Sequence, residues 1–233
     1  MKKTSLGFAL LFIAVASCSA AGLSANDVIS KASAVWKEIP SFKANLVMTS
    51  NTEDVEIRSR GKIFHAKPDK YRIELFTPKK QSILIDKNSI ESKDIASGIK
   101  LKQIFSKLAE KDVLSLPAIF DITKQFESYN FEVQDQNRSS ILLKGTPKEK
   151  GLIGKIDVYV DSKDFFPSRI VYYNAKGTLL GLKEIQYSKI GTSVLPVKCY
   201  ATLMLHTGSA QSEIEYQDIS IEQNLPEKLF IFN

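Results

Sequence analysis

Few side chains in this chain could carry out catalysis or hold a metal. Two histidines, His65 and His206, and two cysteines, Cys18 and Cys199, are the whole supply of nitrogen and sulfur ligands of those types. None stands in an H-x-x-x-H or C-x-x-C spacing, so no preformed metal site can be read. The G-x-S-x-G turn that would expose a nucleophilic serine is missing. Gly151-Leu152-Ile153-Gly154-Lys155 has the glycines and lysine of a phosphate loop but not its spacing, and reads as a hairpin turn. Glu53 with Asp54, and Asp161 with Asp164, could act as paired carboxylates. They lie in stretches that read as turns, where acids are ordinary. The expectation is a chain that is not an enzyme and uses no cofactor, with a hydrolase whose residues converge only in space as the alternative.

The residue with the clearest chemistry is Cys18. Lys2-Lys3 is a basic leader and Leu6–Val15 an apolar run of ten residues. Such a run is too short to cross a hydrocarbon core of about 30 Å as a helix, so it reads as an export signal. Val15-Ala16-Ser17-Cys18 follows directly, with the small residues that precede an acylated cysteine in a bacterial lipobox. Cys18 would then carry acyl chains, with residues 19–25 as a short tether and 26–233 as one domain. The other reading is cleavage at Ser19-Ala20-Ala21 or Leu23-Ser24-Ala25, with Cys18 removed. Either way Cys199 is left without a disulfide partner, and its apolar phase in a strand-like run points to a buried thiol. A periplasmic location, tethered to a membrane through Cys18, is expected.

The 233 residues are 43% hydrophobic and 25% charged, an ordinary globular composition. The net charge is +6, and leaving out Lys2 and Lys3 reduces it to +4. Cations are interspersed with acids, which gives no footprint for nucleic acid.

Strand-like alternation dominates. Asn26–Ile39 reads as a helix, capped by Ser24 or Asn26, with Val28, Ala32, Val35 and Trp36 on one face and Pro40 at its end. Ser41–Thr52 alternates through Phe42, Ala44, Leu46 and Met48. Glu53–Arg60 continues in the same manner. Gly61–Ala66, Lys70–Thr77 and Gln81–Asp86 then form a meander, in which Tyr71, Ile73 and Leu75 share one face. A short strand follows at Ser89–Ser92. Between Gly98 and Tyr129 the spacing of Leu101, Ile104, Phe105 and Leu108 turns helical, and a second helix is expected around Phe120. Alternation resumes at Asn130 and lasts to the end. In the last strand Ile214 and Tyr216 are out of phase with Ile219 and Ile221, which predicts a bulge near Gln217-Asp218. Ten or eleven antiparallel strands with apolar helices suggest a mainly β (α+β) fold: a strongly curved, unclosed antiparallel β-barrel with an N-terminal helix and a helical lid.

Ser41-Phe42-Lys43-Ala44 after a first helix, Gly61-Lys62-Ile63-Phe64 leading to Lys67-Pro68, then Pro78 and Gln81–Ile85 occur in an order that resembles the LolA/LolB family of outer-membrane lipoprotein carriers. The tail, Leu225-Pro226 followed by Leu229–Phe232, resembles that family's closing motif. The resemblance implies an apolar cavity that receives acyl chains beneath the lid, with acylated lipoproteins or lipids as cargo. It also implies an inner-membrane release complex and an outer-membrane acceptor as partners, and a monomer. Leu46, Met48, Tyr71, Ile73, Leu75, Ile83 and Ile85 are the wall candidates, faced by Leu101, Ile104, Phe105, Leu108 and Phe120 from the lid. For each of these the plain alternative is ordinary core. In the periplasmic carriers an arginine precedes the proline of the first turn and latches the lid. Here that position is Lys67, which lacks the planar fork of donors and reads as a solvated turn residue before it reads as a latch. The lipobox belongs with the membrane-anchored acceptor, so an acceptor, a lipid- or glycolipid-binding lipoprotein and a sensor remain alternatives on one scaffold.

Overall fold

The computed structural model describes residues 22–52, 55–67, 70–86, 89–104, 126–205 and 208–232. Helix α1 (Ala25–Lys37) opens the fold. Its start is set by a capping box: Ser24 Oγ accepts from the Asp27 N–H, and Asp27 Oδ2 accepts from the Ser24 N–H, both at 3.2 Å. Val28, Ala32 and Trp36, one helical turn apart, are its buried stripe.

Among the described residues, thirteen strands follow in one sheet, each neighbour pair antiparallel. They are β1 (Phe42–Asn51), β2 (Glu56–Ala66), β3 (Lys70–Thr77), β4 (Gln81–Ile85), β5 (Ser89–Asp94) and β6 (Lys100–Ile104), then β7 (Tyr129–Gln136), β8 (Ser140–Pro147), β9 (Lys155–Asp161), β10 (Pro167–Tyr173), β11 (Leu179–Ile190), β12 (Ser193–Leu205) and β13 (Gly208–Ile221). The order across the sheet is β6-β5-β4-β3-β2-β1-β13-β12-β11-β10-β9-β8-β7. Two meanders are thus joined where the last strand pairs with the first, and β6 and β7 are left as edges. The sheet is unclosed, as the many antiparallel strands together with apolar helices led us to expect. A short 3₁₀ turn, Glu227–Phe230, ends the chain's regular structure.

One face carries the core. Ile63, Tyr71, Ile73, Ile85, Ile141, Val158, Ile170 and Ile214 pack with Val28 and Trp36 of α1 in a single apolar cluster. Backbone approach lets the sheet bend. A Cβ on Gly61 would lie 2.1 Å from the Glu74 carbonyl oxygen, and one on Gly181 would lie 2.6 Å from that of Thr202. At Gly61 the β2–β3 register also slips. The expected bulge in the last strand is present: the β1–β13 register shifts there, and Asp218 adopts φ 52°.

Two expectations need correction. Glu53–Arg60 and Gly61–Ala66 belong to one bent strand, β2, from Glu56 onward. Lys100–Ile104 is an edge strand paired with β5, whereas the sequence reading placed Leu101 and Ile104 in a helix. Here the ladder to β5 and the Lys102–Glu91 ion pair decide, neither of which shows as a period in the sequence. Phe105, Leu108 and Phe120, the other lid candidates, lie outside the described residues, as does Cys18.

Candidate functional site

Because strands alternate in direction, the sheet has two rims. The first holds the β2–β3, β4–β5, β7–β8, β9–β10 and β11–β12 connections; the second holds β1–β2, β3–β4, β5–β6, β8–β9, β10–β11 and β12–β13. Helix α1 lies along the first rim. Before it, the Leu23 N–H donates to Gln136 Oε1 at the β7–β8 end, 3.1 Å. In its middle, the Lys31 ammonium sits 4.6 Å from the Phe165 ring centre. At its end, Glu38 pairs with Lys67 of the β2–β3 turn at 3.1 Å. Beneath that end His65 stacks on Tyr71, their ring centres 4.6 Å apart, with His65 Nδ1 3.0 Å from the Pro40 carbonyl oxygen.

The inner face changes along each strand of the first meander. In β1, Phe42, Ala44 and Leu46 are buried, while Met48 is half-buried. In β3, Tyr71 and Ile73 are buried and Leu75 half-buried. In β4, Ile85 is buried and Ile83 half-buried. In β2, Ile63 is sealed off completely, yet Ile57, six residues along on the same face, is exposed. Leu101 pairs with Ser92, which pairs with Ile83, so it shares this face; it is 65% exposed. All these gradients run the same way, from a first rim closed by α1 to an open second rim.

The first-meander candidates therefore share one face, as alternation required. Leu46, Tyr71, Ile73 and Ile85 lie in the packed core. Met48, Leu75 and Ile83 are the partly open ones. Ile104 closes β6. Lys67 holds α1 through Glu38, and its N–H donates to Ser41 Oγ at 2.9 Å.

Sequence reading missed a polar belt on the inner face. Lys183 of β11 is 1% exposed, paired with Ile170 and Ala201 on neighbouring strands. Burial pushes its ammonium down to about 8. Burial likewise raises the phenols of Tyr172, Tyr187 and Tyr216. The Tyr187 hydroxyl donates to the Pro167 carbonyl oxygen, 2.9 Å, whereas the buried Tyr216 hydroxyl has no partner among the described residues. A signal existed: Lys183 shares the parity of Ile185 and Tyr187, a lysine at an apolar phase. Cys199 is buried, and its thiol forms no disulfide among the described residues.

The outer face has its own feature. The Arg72 guanidinium donates to the Leu229 carbonyl oxygen, 2.8 Å, and the tail packs over β3–β5. It leaves a cleft of ≈ 370 Å³ bordered by Lys70, Leu84, Ser89, Glu91 and Phe230–Phe232. Most of the wall candidates lie elsewhere. Among the described residues no group of three or more His, Cys, Asp or Glu could hold a metal, and no helix is long and apolar enough to cross a membrane.

Solved structures share this architecture. A LolA superfamily protein of Nitrosomonas europaea is 17% identical, covers 91% of this chain and 99% of its own, and superposes with a TM-score of 0.62. A DUF1329 family protein of Desulfovibrio piger is 13% identical, with coverage of 88% and 96% and a TM-score of 0.66. A domain of Vibrio parahaemolyticus described as an outer membrane lipoprotein-sorting protein is 14% identical, with coverage of 87% and 94% and a TM-score of 0.63. At such identities the likeness is one of fold. No curated protein matches the sequence. The family model described as "Sporulation protein YdcC-like" matches residues 1–191, so the chain, LolA-like in fold, belongs to the YdcC-like family of sporulation proteins.

Proposed function

We propose that the chain is a non-enzymatic envelope protein that holds the acyl chains of lipids or lipoproteins against the inner face of its sheet. The observation that carries this reading is the incomplete closure of that face. Met48, Leu75, Ile83 and Leu101 line up toward one rim where, among the described residues, no helix supplies the apolar cover that α1 gives at the other. Each methylene taken from water there contributes about 0.8 kcal/mol, so an acyl chain can be held without covalent chemistry. Release follows when a partner or a rearrangement lowers that affinity.

Export by the N-terminal signal, acylation of Cys18 and a short tether would place the protein at a membrane surface of the envelope. The lipoprotein-sorting description of the Vibrio parahaemolyticus domain supports acylated lipoproteins as one cargo. The lipobox favours a tethered acceptor over a free carrier that crosses a periplasm between a release complex and an acceptor.

The test is gentle purification, organic extraction and mass spectrometry of co-purified lipid, repeated with Met48→Asp and Leu101→Asp. An unpaired carboxylate on the open stretch should expel lipid while circular dichroism stays native. A lipid-free native protein, or variants that retain lipid unchanged, would overturn the reading. Metabolic lipid labelling abolished by Cys18→Ser tests the tether separately.

A further inference from the structure

We infer that the open rim is a docking surface for a lipid bilayer with anionic headgroups. The inference takes its purpose from the acyl-binding reading, but its geometry stands by itself. Ten large apolar side chains are exposed among the described residues. Eight of them, from Val55 and Ile57 to Leu152 and Met204, lie at the open rim; only Ile221 and Ile231 lie elsewhere.

The densest part is built from two touching turns. The Ile95 N–H donates to the Lys80 carbonyl oxygen at 3.0 Å, which joins the β5–β6 turn to the β3–β4 turn. Phe76, Ile95, Ile99 and Leu101 stand out from this pair of turns. Lys79 and Lys80 occupy the first turn, and Lys93 and Lys100 flank the second. The one carboxylate within these turns is Asp94, and its Oδ1 accepts from the Ser97 N–H at 2.7 Å and from Ser97 Oγ at 3.0 Å. Those bonds hold Asp94 below the usual carboxylate range, so it stays ionised and sets one negative charge against the lysines of these turns.

Lys79 and Lys80 beside separate apolar tips match the interfacial layer of a membrane. Apolar ends reach the acyl boundary, while long lysine stems follow them and leave the ammonium groups among phosphates. A protein partner would instead be met by one contiguous apolar surface or groove. Here the apolar groups stand on different hairpin tips, around the mouth of the partly open inner face. A bilayer seated there presents its acyl chains where Leu101, Ile83 and Leu75 can receive them.

The test uses the full chain with Cys18→Ser, so that no acyl anchor contributes, and vesicles of equal parts phosphatidylcholine and phosphatidylglycerol. The chain's single tryptophan, Trp36, lies in α1 at the closed rim and serves as the reference. In a Trp36→Phe background, Phe76→Trp places the only reporter on the open rim. Its emission should shift to the blue and be quenched by brominated acyl chains, while Trp36 in the reference chain should not respond. Adding Lys79→Glu and Lys80→Glu should raise the lipid needed by about thirtyfold or more. Ile99→Ser in place of the lysine changes should raise it by about tenfold, with the thermal melt unchanged for both. The inference is overturned by a reporter that stays solvent-like, by equal response to phosphatidylcholine alone, or by burial of the reporter only when a binding protein is added. Co-purified lipid with a solvent-exposed reporter would remove the docking surface and leave the acyl-binding reading intact. A membrane-inserted reporter in a chain that yields no co-purified lipid would do the reverse.

Discussion

The closed and open rims are made from the same strands, with the same alternation, and differ in what covers them. At the closed rim α1 supplies Val28, Ala32 and Trp36, and the strand residues beneath, Phe42, Ile63 and Ile85, are buried. At the open rim nothing comparable is described, and side chains of the same phase, Ile57 and Leu101, stand in water. Two energetics follow. Burial against a helix makes stability; apolar surface left uncovered is free to be spent on binding. Between them lies the belt of Lys183 and the phenols, where polar groups are enclosed in an otherwise apolar wall.

The largest effect expected is at the closed rim. Trp36→Ala should cost about 3–5 kcal/mol in chemical denaturation, because a large buried side chain is removed from a tight cluster. A cost below about 1 kcal/mol would mean that the cap is not what closes this end.

The belt should give the next effect, through pH. The Lys183 ammonium is held down to about 8 against an ordinary value of 10.5, so the unfolded chain binds the extra proton between those values. Stability should therefore rise with pH from about 8 to about 10, by up to about 3 kcal/mol. The buried phenols work against this above their ordinary value of 10, where the unfolded chain ionises first and stability falls. Urea titrations across that window should show the rise in the native chain and a flat line in Lys183→Met.

Smaller effects separate the cap's parts. Ser24→Ala removes the capping acceptor and should cost about 1 kcal/mol. Lys67→Ala breaks an exposed ion pair to Glu38 and should cost less than about 1 kcal/mol, with weaker dependence on salt than in the native chain. Smallest of all in stability is Leu101→Asp at the open rim, within about 0.5 kcal/mol, although it should abolish lipid retention. A large loss of stability there would show that the two rims are packed alike.

Much of the fold was legible because period and parity are local. Tyr71, Ile73 and Leu75 announced a half-buried strand, and the phase slip between Tyr216 and Ile219 located the bulge at Asp218. Capping chemistry marked the start of α1 to within a residue. The misreading at Lys100–Ile104 came from spacing alone: apolar residues three apart suit a helix, but a ladder to β5 can outweigh that preference. Lys183 was overlooked although its parity placed it inward, since lysine in a strand usually marks the wet face.

The sequence by itself determined which side chains share a face, where the helix begins and where the last strand slips. Each depends on neighbours a few residues away. Only the tertiary structure decided that Ile63 is core while Ile57 is not, that β13 returns to β1, and that α1 covers one rim and leaves the other. Alternation sets the direction a side chain points, whereas depth depends on which distant segment lies over it. No local pattern carries that information.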